Sequence, residues 1–295
     1  MEGVMMRGQR YMAVAVRAPS DEIIIRSEEL PPRLYQSPIA RIPFLRGSIM
    51  LWDTLGLGMR ALMFSADVAM GEEDVKLSKS VTWTTAAIGI VLGIGIFFVL
   101  PVVLTTFVHR QIGNSLLANV LEGVVRLLML VGYVGVIGLM PDIRRVYQYH
   151  GAEHKAINAF EGGARLRSAE IAPFSVRHPR CGTNFLLIVG ALSIAVFAPL
   201  GRPDSWLILV GSRIVLVPVI AGLAYEAIKW GSSHITNPVV AILMKPGLAM
   251  QSLTTREPTL PQIEVSAAAL REVIRLERPE MLDAEELEAI PEPIV

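Results

Sequence analysis

The chain is short of cysteine and of charge. Cys181 is the one cysteine among 295 residues, so an intrachain disulfide is excluded and the thiol is left for metal binding, nucleophilic chemistry or packing. Charged residues make up 18% of the chain, against about 25% in a typical soluble domain. Basic and acidic residues balance, 27 against 27, so we expect no nucleic-acid partner. Residues 1–17 lack the compact apolar core of a cleavable signal peptide, and we expect none.

Apolar residues, 52% of the chain, are concentrated in four segments of the length that a bilayer-crossing helix needs, roughly 20 residues. Residues 81–108 and 183–201 carry no charge, whereas residues 116–140 and 206–230 carry a few charged side chains. The sequence therefore predicts a mainly α-helical, polytopic membrane protein with four transmembrane helices, a small N-terminal β-hairpin and cytoplasmic loop helices. The lipid bilayer is the expected partner, and the bacterial inner (plasma) membrane the expected location.

Loop charges predict the orientation. Seven basic residues lie between the second and third segments, whereas the short connections opposite carry only Arg110 and Arg202. Because positively charged loops stay in the cytoplasm, we expect the central loop and both termini inside. Cys181 then lies in a reducing compartment, as a free thiol.

The flanking regions have their own patterns. Two β-rich runs, residues 11–17 and 22–26, are separated by a Pro-Ser-Asp turn and predict the hairpin. Residues 262–277 have the apolar spacing of a short amphipathic helix, and residues 279–295 are expected to form a loosely held acidic tail. The predicted regions are a hairpin region (1–41), an amphipathic interfacial or re-entrant helix with its linker (42–80), transmembrane helices 1 and 2 (81–141), a cytoplasmic loop with His/Cys motifs (142–182), transmembrane helices 3 and 4 (183–230) and a cytoplasmic C-terminal region with an acidic tail (231–295).

Charges at a spacing of seven mark the predicted helix at residues 42–70. Arg46, Asp53, Arg60 and Asp67 share one helix face, because seven residues are nearly two turns. One interpretation is a surface helix whose charged face meets water or protein. The other is a re-entrant or inter-subunit helix whose charges line a polar cavity.

The central loop contains a candidate metal motif. Pro141-Asp142 suits the first turn of a helix and Gly162-Gly163 suits its end. Within that helix the pattern His-x-x-Glu-His puts His150 and His154 one turn apart, with Glu153 beside them. Two histidine ligands and a carboxylate that activates water form the inverted zinc-peptidase arrangement. The alternative is that these histidines only form hydrogen bonds.

Further candidate ligands lie elsewhere in the chain. His178 and Cys181 are three residues apart in a Pro/Gly-bearing turn, and together they offer donors that suit zinc. Glu226 is a candidate third ligand near the cytoplasmic end of its helix, and His234 is a further candidate. Zinc is therefore the expected cofactor, with Glu153 as the catalytic base.

Charged residues also fall inside the predicted spans. Glu122 and Arg126 are four apart and can pair along one helix, and Arg213 is available to pair across helices. Buried charges in lipid are costly and often mark a functional path, although an interhelical ion-pair lock explains them equally well.

Several motifs in order carry a resemblance to a known family. They are Met1-Glu-Gly-Val-Met-Met-Arg7, Tyr149-His-Gly-Ala-Glu-His-Lys155, His178-Pro-Arg-Cys-Gly-Thr183, Tyr225-Glu226, Pro246-Gly-Leu-Ala-Met-Gln-Ser-Leu-Thr-Thr-Arg-Glu-Pro258 and Gln262-Ile-Glu-Val265. The chain resembles the YqhQ-like family of bacterial membrane proteins over roughly residues 1–275. That family has no known function and is labelled in places a predicted metal-dependent enzyme. The resemblance implies metal at the His150/His154 and His178/Cys181 motifs.

Three kinds of function agree with these patterns. The first is a zinc-dependent hydrolase at the cytoplasmic membrane face, acting on a peptide or lipid-linked substrate. The second is a channel, transporter or transport regulator, for which four helices require a homo-oligomer. The third is a membrane scaffold that binds a larger complex through the hairpin and the acidic tail.

Overall fold

The protein is mainly helical, with a three-stranded antiparallel sheet at its N-terminus. The computed structural model describes residues 2–31, 42–70, 79–112, 114–200 and 205–293. The helices are α1 (Leu45–Met70), α2 (Lys79–Ile94), α3 (Leu100–Ile112), α4 (Ser115–Ile137), α5 (Pro141–Glu161), α6 (Ser168–Ile171), α7 (Gly182–Phe197), α8 (Trp206–Val215), α9 (Val217–Ser233), α10 (Pro238–Thr254), α11 (Leu260–Glu277) and α12 (Ala284–Glu288). A π-helical turn, Gly95–Val99, joins α2 to α3, and a 3₁₀ turn, Pro279–Met281, follows α11.

The sheet contains the predicted hairpin and one strand more. Its strands are β1 (Gly3–Arg7), β2 (Tyr11–Arg17) and β3 (Ile23–Glu29), in the order β1-β2-β3. The β2–β3 pair confirms the hairpin. β1 is too short and too irregular in polarity to be recognised from the sequence alone, and it is held by its pairing with β2.

Both faces of the sheet are covered by helices, which is why its alternating side chains are apolar on each side. Ala13, Ala15 and Ile25 pack against α5 and α11 on one face. On the other face Val14 and Val16 pack against Leu57 and Phe64 of α1. Since side chains of a strand alternate between faces, β2 contributes to both layers. α11 is buried along most of its length.

In the part of the chain that the structure describes, three helical segments are long and apolar enough to cross a membrane. They are Trp83–Thr106, which includes the π turn, Leu116–Ile137 in α4, and Trp206–Ser233, formed by α8 and α9. The fourth predicted segment forms α7, an apolar helix of 16 residues that is shorter than these three. The membrane character of the chain therefore rests on three helices of full length and one shorter helix.

The intramembrane charges form one network. Glu122 Oε1 accepts hydrogen bonds from Arg126 Nη2 at 2.8 Å and from Arg213 Nε at 3.2 Å. Arg213 Nη2 also donates to Asn119 Oδ1 at 3.1 Å, and its guanidinium carbon lies 4.5 Å from the centre of the Phe197 ring. The predicted Glu122–Arg126 pair is thus joined by the arginine of another helix, an arrangement that favours an interhelical lock.

The π turn supplies a further acceptor to this network. Arg126 Nε donates to the carbonyl oxygen of Phe97, at 2.9 Å, and Phe97 lies within the turn. A π turn interrupts the regular i→i−4 pattern of an α-helix, so its carbonyl groups are open to other donors. The turn therefore has a structural role in satisfying a buried guanidinium.

Three of the four charged residues in the α1 stripe pair with other parts of the protein, whereas Asp67 is exposed. Arg46 pairs with Glu226 of α9, and Arg60 Nη1 lies 3.0 Å from Glu28 Oε1 of β3. Asp53 Oδ2 lies 3.5 Å from Arg7 Nη2 of β1. These ion pairs connect α1 both to a candidate membrane span and to the sheet.

The acidic tail is held more firmly than its composition indicates. Glu286 is buried and accepts a hydrogen bond from the Leu166 backbone nitrogen at 2.6 Å. Arg167 pairs with Glu285, and Arg165 Nε lies 3.4 Å from Asp283 Oδ2. Basic side chains of the central loop therefore fix the tail by charge.

Candidate metal centre

α5 carries two of the candidate ligands. Pro141 begins the helix, where a missing N–H costs nothing, and Gly162 caps its end, with Gly163 in the left-handed conformation at φ 71°. His150 and His154 are one turn apart, so their rings lie side by side with centroids 4.4 Å apart. One face of α5 packs on the sheet, and the two imidazoles lie on another face, toward the loop before α7.

Backbone carbonyl groups fix the orientation of both rings. His150 Nδ1 lies 2.9 Å from the Thr254 carbonyl oxygen, and His154 Nδ1 lies 2.7 Å from that of Val176. A carbonyl oxygen only accepts, so in neutral rings the proton is on Nδ1 and the lone pair is on Nε2. This is the arrangement typical of metal-ligating histidines, in which the second ring nitrogen donates to an outer acceptor.

Cys181 completes a group of three donors. Its sulfur lies 3.2 Å from His150 Nε2, and the donor atoms of His150, His154 and Cys181 all lie within 4.8 Å of one another. Tetrahedral zinc, with bonds of about 2.0–2.1 Å to nitrogen and about 2.3 Å to sulfur, separates such donors by roughly 3.5 Å. Donor type, tautomer and spacing therefore all fit a zinc ion held by three side chains.

Two carboxamides hold the Cys181 turn in place. Gln251 of α10 accepts from the His178 backbone nitrogen at 2.9 Å and donates to the His178 carbonyl oxygen at 2.8 Å. Gln251 Nε2 also donates to Asn184 Oδ1 at 3.0 Å, and Asn184 Nδ2 donates to the Pro179 carbonyl oxygen at 2.9 Å. Sequence reasoning gave neither residue a role. The available signal was a carboxamide inside an otherwise apolar helix, which usually marks an interhelical hydrogen bond.

The other predicted ligands lie outside this group. His178 is buried next to His154, with ring centroids 5.9 Å apart, but its Nε2 faces Glu161 Oε2 at 3.4 Å. Burial lowers the pKa of His178 below its usual value. Glu226 pairs with Arg46, and the exposed His234 stacks on Trp230. Two of the five predicted ligands, His178 and Glu226, thus have other partners.

Glu153 lies on the side of α5 that faces a cavity. It lines this space of about 380 Å³ together with His150 and residues of α1, β1 and β2. Burial raises the pKa of the Glu153 carboxyl above its usual range, and the nearby His150 opposes that shift. Glu153 is close enough to His150 for that ring to affect its pKa, which makes it a candidate proton-transfer group.

Gly151 allows the chain after α10 to lie against α5. A Cβ at this position would stand 2.2 Å from the Arg256 carbonyl oxygen, and Arg256 donates its backbone N–H to the Tyr147 carbonyl at 2.9 Å. We expect Gly151→Ala to push this backbone away and to cost about 1–3 kcal/mol of unfolding free energy. We also expect it to weaken metal binding by the His150, His154 and Cys181 group, because Thr254, the acceptor for His150, lies on the same segment.

Thermal unfolding in detergent and zinc titration measure these two effects. Gly182→Ala is the matched control, since a Cβ there meets no atom within 4 Å although Gly182 follows Cys181 directly. An unchanged melting temperature for Gly151→Ala would contradict the close contact.

A comparison with known protein families matches the region that contains these residues. The sequence pattern of a family described as "Protein of unknown function (DUF1385)" matches residues 42–276. The chain belongs to the DUF1385 family. Within its range the DUF1385 match includes α5 and the Cys181 turn, so the three donors lie inside the family region.

A curated relative extends the likeness beyond that range. The chain is 30% identical over 294 residues to the "Uncharacterized protein YqhQ" of Bacillus subtilis (strain 168), covering 94% of this chain and 91% of the relative. The YqhQ-like resemblance is thereby confirmed. No solved structure matches this DUF1385 chain.

Proposed function

We propose that the protein is a zinc-dependent hydrolase that works at the cytoplasmic face of the membrane. The observation that carries the proposal is the group of His150, His154 and Cys181, whose donor atoms lie within 4.8 Å of one another. Backbone carbonyls fix the Nδ1 atoms of both rings, and His150 Nε2 lies 3.2 Å from the Cys181 sulfur. Three protein donors and one open position are typical of catalytic zinc, whereas structural zinc sites have four.

The residues of the site have separate tasks in this proposal. His150, His154 and Cys181 hold the ion, and the carbonyl groups of Thr254 and Val176 keep the rings oriented. Zinc would supply Lewis acidity and make water reactive near neutral pH. Glu153 takes a proton from the attacking water and returns it to the leaving group, as a general base and then a general acid.

The proposal also includes the membrane arrangement. α7 is the fourth spanning helix, because it is apolar, packs against α4 and α9, and continues into the apolar residues 198–200. Its 16 residues span about 24 Å, so it lies at the short limit for a bilayer core of about 30 Å. With the basic central loop inside, the metal centre faces the cytoplasm.

Metal content and hydrolysis test the function together. We expect wild-type protein purified without chelator to carry nearly stoichiometric zinc and to hydrolyse ester or amide substrates. Glu153→Gln should keep the zinc and lose hydrolysis by a factor of about 100 or more, because a proton-transfer group is removed and no ligand is. Wild-type protein without any transition metal after zinc supplementation would overturn the proposal.

The orientation is tested by cysteine labelling in intact cells. In a Cys181→Ser background, Asn114→Cys and Ser205→Cys should react with an impermeant maleimide, because both lie in the short outer connections. The exposed Glu170, in the central loop, provides the opposite case, since Glu170→Cys should react only after permeabilisation. Labelling of Glu170→Cys from outside would reverse the orientation.

A further inference from the structure

The cavity beside Glu153 has mainly apolar walls. It lies between α1, the β1 edge of the sheet and α5, and Val4, Met5 and Leu62 are among its apolar residues. A volume of about 380 Å³ is within the range of small-molecule sites, about 300–1,000 Å³. Because its lining is mainly apolar, this space suits an apolar group.

Few polar side chains reach this cavity, and one of them lacks a partner. The Tyr149 hydroxyl donates to Glu2 Oε2 at 2.7 Å. Ser65 of α1 is only 5% exposed, and its Oγ has no hydrogen-bond partner among the residues that the structure describes. A buried hydroxyl without a partner costs about 1–3 kcal/mol, so Ser65 is suited to a ligand that brings an oxygen atom.

An exposed apolar stripe on α1 leads to the cavity. Trp52, Leu55, Met59 and Leu62 follow one another at helical spacing, and all four are exposed, Trp52 to 80%. Leu62 belongs both to this stripe and to the cavity wall. A contiguous apolar face of this kind marks an interaction with a membrane or an apolar partner.

The same helix is attached to the membrane bundle at its beginning. Arg46 pairs with Glu226 of α9, and a Cβ at Gly47 would stand 2.7 Å from the Tyr225 Cβ atom. α9 belongs to a candidate membrane span. The stripe therefore begins less than two helical turns after the contact with α9, and its last residue, Leu62, lies in the wall of the cavity that Glu153 also lines.

We propose that this cavity holds the hydrocarbon chain of a membrane lipid and places an acyl ester of that lipid beside Glu153 and His150. This inference rests on the proposed function, since it names the substrate class of the same site. Ser65 donates its hydroxyl proton to an ester oxygen, which gives the buried Oγ a partner.

The reaction balances with water alone. The water oxygen forms a bond to the acyl carbon, and the bond between that carbon and the ester oxygen breaks. One water proton passes through Glu153 to the leaving oxygen, so the products are a fatty acid and an alcohol. No oxidant or reductant is required.

Two glycines of α1 provide a matched pair of variants. Gly58 lines the cavity, and a Cβ there meets no atom within 4 Å, so the indole of Gly58→Trp has room to enter the cavity. Gly56 has the same open surroundings on the same helix but does not line the cavity. Gly56→Trp therefore controls for the bulk of the side chain. The zinc content of each tryptophan variant, compared with that of the wild type, controls for folding.

The probe is a phosphatidylcholine with a diazirine group on one acyl chain, incorporated into nanodiscs that hold the full chain. After illumination, mass spectrometry should find the label at Val4 or Met5 in the wild type and in Gly56→Trp. Gly58→Trp should reduce that label by about tenfold or more, because the indole occupies the space of the chain. Equal labelling in the two tryptophan variants would overturn the inference, as would label found only at Trp52 and Leu55.

The two proposals fail in different ways. His154→Ala should lose zinc and keep the cavity label, because the ligand is removed and the cavity wall is unchanged. Cavity labelling that Gly58→Trp blocks, in a wild type without zinc, would support the lipid cavity and overturn only the hydrolase. If the wild type carries stoichiometric zinc but Gly58→Trp leaves the labelling unchanged, the lipid inference is overturned and the proposal of a metal site is not.

Discussion

We expect His154→Ala protein to carry only background zinc, against nearly one ion per chain in the wild type. His154 belongs to the group of three donors and its Nδ1 is fixed by the Val176 carbonyl, so alanine removes an oriented candidate ligand. Loss of an outer partner alone costs about 10–100-fold in affinity, and loss of the ligand itself should cost more. His150→Ala should have the same effect.

Two other histidines make this measurement specific. His234→Ala should keep the metal, since His234 is exposed and stacks on Trp230. His178→Ala should keep most of it, because His178 Nε2 faces Glu161. Elemental analysis of proteins purified in parallel gives the comparison. Full zinc in His154→Ala would exclude the three-donor site, and loss in His178→Ala would make His178 a fourth ligand.

The second large effect is expected at Glu122. Both Arg126 and Arg213 donate to its Oε1 atom, and Arg213 is 1% exposed. Glu122→Gln leaves two buried guanidinium groups without this carboxylate and should cost about 3–5 kcal/mol of unfolding free energy. Arg126→Met should cost distinctly less, because Glu122 and Arg213 then remain as a neutral pair.

Unfolding in detergent, followed for the single and double variants, tests this asymmetry. The double change Glu122→Gln with Arg126→Met still leaves Arg213 buried, so it should not recover wild-type stability. Leu128→Ala, at an exposed position of the same helix, is the control. Equal losses for Glu122→Gln and Arg126→Met would show that Arg213 does not depend on Glu122.

Local periodicity was sufficient for the parts of the fold that depend on neighbours in the sequence. The 3.6-residue period of a helix placed His150 and His154 on one side, and apolar runs located the three long spans. Pro141 and Gly162 marked the ends of α5 because each has a specific backbone preference. These features need no knowledge of distant residues.

The choice among the remaining ligands needed the tertiary structure. Cys181 and His178 were equal candidates by spacing. The turn that carries both is held by hydrogen bonds from its backbone to Gln251 and Asn184, and in this turn it is Cys181 that lies next to His150. Glu226 instead forms an ion pair with Arg46, 180 residues earlier in the chain. Contacts over such separations leave no periodic pattern in a single sequence.

The position of α11 late in the chain delays the packing of the N-terminal sheet during synthesis. The sheet is complete by Glu29, but the helix that buries one of its faces ends at Glu277, whose Oε1 accepts from the backbone nitrogens of Arg10 and Tyr11. At about 5–20 residues per second, synthesis of the intervening chain takes roughly 10–50 s. During that time the sheet face that α11 covers stays exposed. A nascent chain of this protein should therefore depend on a chaperone until α11 leaves the ribosome.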